Sequence, residues 1–165
     1  GSTYLYQGEE LGLAEVWDLP LDVLDDPVWE QSNHTAKGRD GCRVPLPWEE
    51  SGPSYGFGPG PSWLPQPDWF GPASAAAQAS SPDSTLNLYK AAIAARRANF
   101  VGDESLTWDQ TPPGVIGFTR GSGARCWINL GLTPIQLPPA ISVVLSSDRN
   151  DATDVLAPNA TVWFR

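Results

Sequence analysis

The side chains that could do chemistry fall in a few short clusters. Glu9-Glu10, Asp25-Asp26 and Glu49-Glu50 are adjacent carboxylates, and His34 is the only histidine. Gly38-Arg39-Asp40-Gly41-Cys42-Arg43-Val44-Pro45-Leu46-Pro47-Trp48 sets two arginines four apart around an aspartate. Neighbours on a strand point to opposite faces, so Glu9 and Glu10 do not flank one scissile bond as an acid and a base must. One of them is available to face a site, and the other to meet a basic group. Asp25-Asp26 and Glu49-Glu50 read as solvated loop charges. A Ser/His/Asp triad would need His34, but no Gly-x-Ser-x-Gly elbow accompanies it, so His34 reads as a surface loop histidine. The run Asp148-Arg149-Asn150-Asp151-Ala152-Thr153-Asp154 lacks the glycine and the closing glutamate of a calcium loop, which leaves a β-turn. Gly56 to Gly60 opens no helix and so offers no amide cradle to a phosphate. In the Arg39–Arg43 loop a guanidinium forms planar, directed hydrogen bonds, and Asp40 is placed to hold one of the two arginines. Both a structural ion-pair loop and a ligand-contacting loop satisfy that pattern.

Composition limits what such a loop would contact. The chain has 165 residues, with Asp+Glu 19 against Lys+Arg 10 and a formal net charge of -9. A nucleic-acid binder needs a cationic surface to neutralise phosphates, so that class is excluded. The acidity is uneven: residues 1–70 carry 12 acidic and 3 basic side chains, while residues 71–165 carry 7 of each. An acidic half rich in tryptophan suits a neutral, hydroxylated ligand, whose hydroxyls donate to carboxylates and whose ring faces lie on aromatics. Acidity that serves only solubility is the plainer reading. No apolar run approaches the ~20 residues of a membrane span. Cys42 and Cys126 are too few for a zinc site and read as free, partly buried thiols. No cofactor is implied. The chain starts Gly-Ser-Thr-Tyr without a cationic leader or an initiator Met. It therefore reads as an internal slice of a longer gene, and a cytoplasmic location is expected.

The elements that must position these groups differ along the chain. Thr3 to Gln7 is β-branched and aromatic and predicts a short buried strand ended by Gly8. Residues 9–80 have no sustained period, so they predict a long functional loop with short helical turns, for example around Leu21–Leu24. Within it, 53–72 is dense in Pro, Gly and aromatics and is expected to be pinned by Trp63, Trp69 and Phe70. Ser81 as cap, Pro82 and Asp83 in the first turn, and Leu86, Tyr89, Ile93 and Phe100 at helical spacing predict an amphipathic helix stopped by Gly102. From 105 the period is two, which predicts antiparallel strands over 105–108, 115–120, 125–130, 135–137, 142–146 and 161–164. A lone strand, loop and helix bury too little by themselves, so the first hundred residues call for a partner layer.

Three segments resemble one family. Tyr4-Leu5-Tyr6-Gln7-Gly8-Glu9-Glu10-Leu11-Gly12-Leu13, the Gly38–Trp48 loop and Trp63-Leu64-Pro65-Gln66-Pro67 are similar, in sequence and in order, to the α-glucosidase and oligo-1,6-glucosidase branch of the α-amylase superfamily, nearest to its actinobacterial members. The resemblance implies an α/β barrel remnant (the last strand, a long loop and the last helix of a (β/α)8 barrel) followed by a small all-β antiparallel C-terminal domain. The first would span 1–102 and the β-sandwich-like second 103–165. It implies retaining hydrolysis of short malto- or isomalto-oligosaccharides by carboxylates at the ends of earlier barrel strands. No segment here matches those motifs, so no residue of this chain inherits a catalytic role and the chain alone is expected to be inactive. Arg39 matches an arginine that lines the leaving-sugar site, and Glu9, Glu10, Asp40 and Arg43 match positions that support the site. Leu11 to Trp69 would form part of the active-site rim, at the carboxyl end of the strands where barrel enzymes place their chemistry. The partners implied are an oligosaccharide and the N-terminal barrel portion of the same protein, with no nucleic acid and no membrane. A trehalose-synthase-like transglycosylase is the rival within the superfamily, and Tyr6-Gln7-Gly8-Glu9-Glu10 favours the glucosidase. A non-catalytic carbohydrate-binding β module is the rival outside it.

Overall fold

The computed structural model describes residues 2–100, 105–148 and 154–165, in two compact units, Ser2–Asn87 and Leu88–Arg165. The first unit is built from turns. Residues 2–6 carry no strand pairing, and Tyr4 is 90% exposed, where a short buried strand was expected. A strand is held by ladder hydrogen bonds from a neighbour, and no described strand of this chain lies beside these residues. Glu9–Leu11 is a 3-10 turn entered and left through Gly8 and Gly12, both at positive φ. The glutamates are therefore turn neighbours rather than strand neighbours.

Further 3-10 turns follow at Leu21–Val23, Asp40–Cys42, Pro53–Gly56 and Asp68–Phe70. Two five-residue helices stand among them, α1 (Pro27–Gln31) and α2 (Ala75–Ala79). Val16, Leu19, Val44, Leu64 and Phe70 form the core of this unit. Of the three aromatics expected to pin 53–72, only Phe70 enters it; Trp63 is 57% and Trp69 42% exposed. Leu64 takes the inward place beside Trp63, and Trp69 meets Phe70 edge-on at 4.6 Å instead of entering the core. Two side-chain amides, Gln78 buried and Gln66 partly so, do the rest of the fastening. Gln66 Nε2 donates to the Pro45 and Ser54 carbonyls, and Gln78 Nε2 to those of Leu11 and Ala73.

Helix α3 (Thr85–Asn99) begins in the first unit and continues in the second. It starts four residues after the expected cap. Ser84 Oγ accepts the Asn87 N–H at 3.1 Å and itself donates to the Gln78 carbonyl at 2.8 Å. Ser84 therefore caps the helix, while Pro82 and Asp83 lie in a preceding turn. Arg96 and Arg97 sit in the last turn, as charge at a helix C-terminus favours. No α3 residue is buried, and Ile93 of its apolar face is 39% exposed. The expected stop at Gly102 lies outside the described residues.

The second unit is antiparallel throughout. A five-stranded sheet runs in the order β1 (Leu106–Trp108), β2 (Val115–Arg120), β3 (Arg125–Asn129), β7 (Thr161–Phe164), β5 (Val143–Ser146). A separate pair joins β4 (Ile135–Gln136), within its expected span, to β6 (Val155–Leu156), which was not among the expected strands. Val115, Trp127, Leu137, Leu156, Val162 and Phe164 form its core. Two polar pins hold it. Asn129, fully buried, donates to the Thr133 and Leu156 carbonyls and accepts the Gly131 N–H. Asp109 Oδ2 accepts Trp127 Nε1 at 2.7 Å and two Arg125 guanidinium N–H groups, while Oδ1 accepts the Thr119 hydroxyl. Cys42 and Cys126 are free thiols, and burial pushes Cys126 up to about 11. Of the β-turn expected over Asp148–Asp154, residues 149–153 lie outside the described residues. No helix among the described residues is long and apolar enough to cross a membrane.

Candidate functional site

The Gly38–Trp48 loop is set on a clasp of two buried carboxylates. Asp26 precedes Pro27, and that pair starts α1: Asp26 Oδ1 accepts the Val28 N–H at 2.9 Å, with proline at the first helical position. Its other oxygen, Oδ2, accepts the Arg39 backbone N–H at 3.1 Å and Arg43 Nη1 at 2.8 Å. Asp40 returns the contact, since its Oδ2 accepts the backbone N–H groups of Asp25 and Asp26 at 2.7 and 2.9 Å. Asp26 is 6% and Asp40 1% exposed. Gly38 closes the clasp: at φ +73 it lies so near Asp26 that a Cβ there would be 2.5 Å from the carboxyl carbon.

The electrostatics follow from this geometry. Hydrogen bonds from the Val28 and Arg39 N–H groups, with the Arg43 guanidinium, hold Asp26 below the usual carboxylate range despite its burial. Asp26, dismissed from the sequence as a solvated loop charge, is thus the principal anchor of the loop. Asp40 was expected to hold a guanidinium. Arg43 does lie 3.5 Å from Asp40 Oδ1, but Asp26 is its nearer partner. The Asp-Pro dipeptide ahead of a helix was the signal for Asp26, because it marks a cap.

Arg39 differs from Arg43. Its backbone is fixed by Asp26, yet its side chain is exposed and makes no hydrogen bond or ion pair among the described residues. Glu9 and Glu10 fold back on their own turn: Glu9 Oε2 accepts the Tyr6 N–H at 3.1 Å and Glu10 Oε2 the Gly8 N–H at 2.9 Å. Glu9 lines a cavity of about 310 Å³ with Tyr6, Glu15, Cys42, Val44 and Phe70. The Cys42 thiol donates to the Arg39 carbonyl at 3.1 Å, and the Tyr6 hydroxyl reaches that sulfur at 4.0 Å. Contact with Cys42 raises the Tyr6 hydroxyl above its ordinary value. The tail of the loop is buried at Pro45 and Pro47, and the Pro47 and Trp48 carbonyls accept the first N–H groups of α2. His34 is exposed, lies 3.0 Å from Glu30 and rests against the Trp29 ring at 4.7 Å. Among the described residues the loop therefore combines an arginine of fixed backbone and exposed side chain with a nearby cavity that Glu9 and Glu15 line.

The "Alpha amylase, catalytic domain" family matches residues 1–104. A "Probable alpha-glucosidase" of Rhizobium meliloti (strain 1021) is 39% identical over 124 residues, covering 74% of this chain and 22% of that protein. "Maltase A1" of Drosophila melanogaster is 30% identical over 139 residues, covering 81% of this chain and 24% of that protein. The chain thus spans about a quarter of the length of these relatives. Among solved structures, the α-glucosyl transfer enzyme XgtA superposes with a TM-score of 0.73 at 33% identity, over 97% of this chain and 32% of that one. A trehalulose synthase shares the fold, with a TM-score of 0.76 at 21% identity, over 99% of this chain and 35% of that one. On these matches and the residues that carry them, the chain belongs to the α-amylase family and holds part of its catalytic domain.

Proposed function

We propose that this chain is the C-terminal part of a retaining α-glucosidase that acts on short malto- and isomalto-oligosaccharides, and that Arg39 contacts the leaving sugar. The observation that carries the reading is the contrast at Arg39: a backbone locked by a buried carboxylate, and a guanidinium left exposed and unpaired among the described residues. In the reaction one carboxylic acid protonates the glycosidic oxygen while a second carboxylate attacks the anomeric carbon, and water then releases the glucosyl group. Both groups belong, in this reading, to earlier barrel strands outside these 165 residues. Arg39 donates to hydroxyls of the departing glucose from a loop whose backbone Asp26 already fixes. Glu9, Glu10, Asp40 and Arg43 keep the surrounding turns in register.

Residues 1–102 are then the end of the catalytic barrel and 103–165 a separate β domain. Exposure along residues 2–6 and at Ile93 of α3 supports this, since these faces suit a barrel that covers them. Two free thiols support a reducing, cytoplasmic setting. A glucosyl-transfer reading is favoured by one observation, the 33% identity to an α-glucosyl transfer enzyme. Incubating the full-length protein with maltose and isomaltose separates the two. Free glucose released in the α configuration supports the hydrolase, and new oligosaccharides as the main product support transfer. The 165-residue chain alone is expected to release no glucose, and release by a clean preparation would overturn the assignment of the carboxylates.

A further inference from the structure

We propose that Phe57 to Trp63 form a hinged flap, latched by Ser54, whose two aromatic rings close on a bound sugar chain; this inference rests on the saccharide substrate proposed above. The hinge is a strained turn. Ser54 and Tyr55 hold φ of 47 and 46, left-handed values that side chains with a Cβ rarely adopt, and Gly56 follows at 77. Such a turn persists only where its surroundings over-determine it. Here the Tyr55 carbonyl accepts the Trp48 and Glu49 N–H groups, and its ring meets Phe70 edge-on at 6.5 Å. The Ser54 carbonyl accepts the Phe57 N–H and Gln66 Nε2. Leu64, fully buried, anchors the far end. Between these anchors the chain is lightly held. Phe57 is 56% exposed and Trp63 almost the same, and a Cβ built on Gly58 or Gly60 would meet nothing within 4 Å. The Ser54 hydroxyl ties the tip back by donating to the Gly60 carbonyl. Breaking that bond frees Ser54 and Tyr55 to leave the left-handed region. Relief of strain then offsets loss of the latch, which keeps the latched and released forms close in free energy. The neighbours of the hinge select the occupant. Phe70, on which Tyr55 packs, also lines the cavity that holds Glu9 and Glu15, and Glu49 lies against Gly56. Aromatic rings beside carboxylates suit a neutral, hydroxylated ring and disfavour an anion.

The test is limited chymotrypsin digestion of the full-length protein, following cleavage after Phe57 and Trp63 by mass spectrometry. Nicking of a loop tracks the population of its released form. Ser54→Ala keeps the strained turn and removes the latch, so cleavage within the flap should quicken about fivefold while cleavage elsewhere is unchanged. Equal rates in the two proteins, or a rise at every site, would overturn the latch. The sugar probe is an S-linked maltotriose, whose sulfur bridges resist hydrolysis, with its binding measured in parallel by calorimetry. At saturation it should slow flap cleavage about fivefold in the wild type and in Ser54→Ala. Bound sugar that leaves flap cleavage unchanged would overturn the closure. A full-length protein that binds none of it would instead remove the saccharide reading, and the closure with it. Phe57→Ala needs no change in the hinge and alters an exposed side chain, so it serves if Ser54→Ala does not fold. It should weaken binding of the S-linked maltotriose about fivefold, and an unchanged affinity would count against the inference.

Discussion

Asp25 and Asp26 are neighbours in the chain, yet Asp25 is exposed and Asp26 is buried with two N–H groups and a guanidinium on it. Nothing in the dipeptide distinguishes them except the proline that follows. Arg39, Asp40 and Arg43 were legible because they share one short motif. Asp26 was not, because its partners lie 13 and 17 residues away and contacts of that range leave no local pattern. The clasp has a pH signature. A carboxylate held below its ordinary value stabilises the fold at higher pH, and that contribution is lost as pH falls through the folded value. Wild type is therefore expected to lose thermal stability below about pH 4, and Asp26→Asn to lose less of it over the same range. Melting curves from pH 7 to pH 3 check this, and parallel slopes for the two proteins would contradict it.

At the scale of elements, the sequence was informative where periodicity governs and silent where single side chains do. Strands β2, β3, β5 and β7 match their expected positions to within one residue, because alternation and Gly or Pro turns define both the face and the ends. The span from 9 to 80 held no such pattern. Its order comes from amides and carboxylates, partly buried Gln66 and buried Gln78, Asp26 and Asp40, each tying backbone groups that no ladder satisfies. The late start of α3 is fixed there too: the Gln78 backbone carbonyl accepts the Ser84 hydroxyl, and Gln78 Oε1 accepts the Leu86 N–H of the first turn. The β unit has its own such anchor. Asp109 joins Thr119 of β2 to Arg125 and Trp127 of β3, and burial opposes its charge while these three donors hold it below the ordinary carboxylate range. Removing it leaves three donors without their acceptor. Asp109→Ala is expected to destabilise the chain by about 3 kcal/mol in denaturant titration, and a loss under about 1 kcal/mol would show the pin to be dispensable.

For the whole molecule, the reading proposed implies a division of labour. This chain spans about a quarter of its relatives and, in that reading, supplies the loop that presents Arg39. The chemistry, in the reading proposed, belongs to carboxylates elsewhere in the protein. Net charge fits that division, since the surplus of 9 negative charges in residues 1–70 suits a neutral sugar and repels phosphate. The most direct measurement is steady-state kinetics of full-length Arg39→Ala on maltose and on an aryl α-glucoside. Loss of about 2 kcal/mol of transition-state binding, roughly thirtyfold in kcat/KM, is predicted on maltose, carried mainly by KM, with a much smaller change on the aryl substrate. Unchanged kinetics on maltose would contradict the account at its centre.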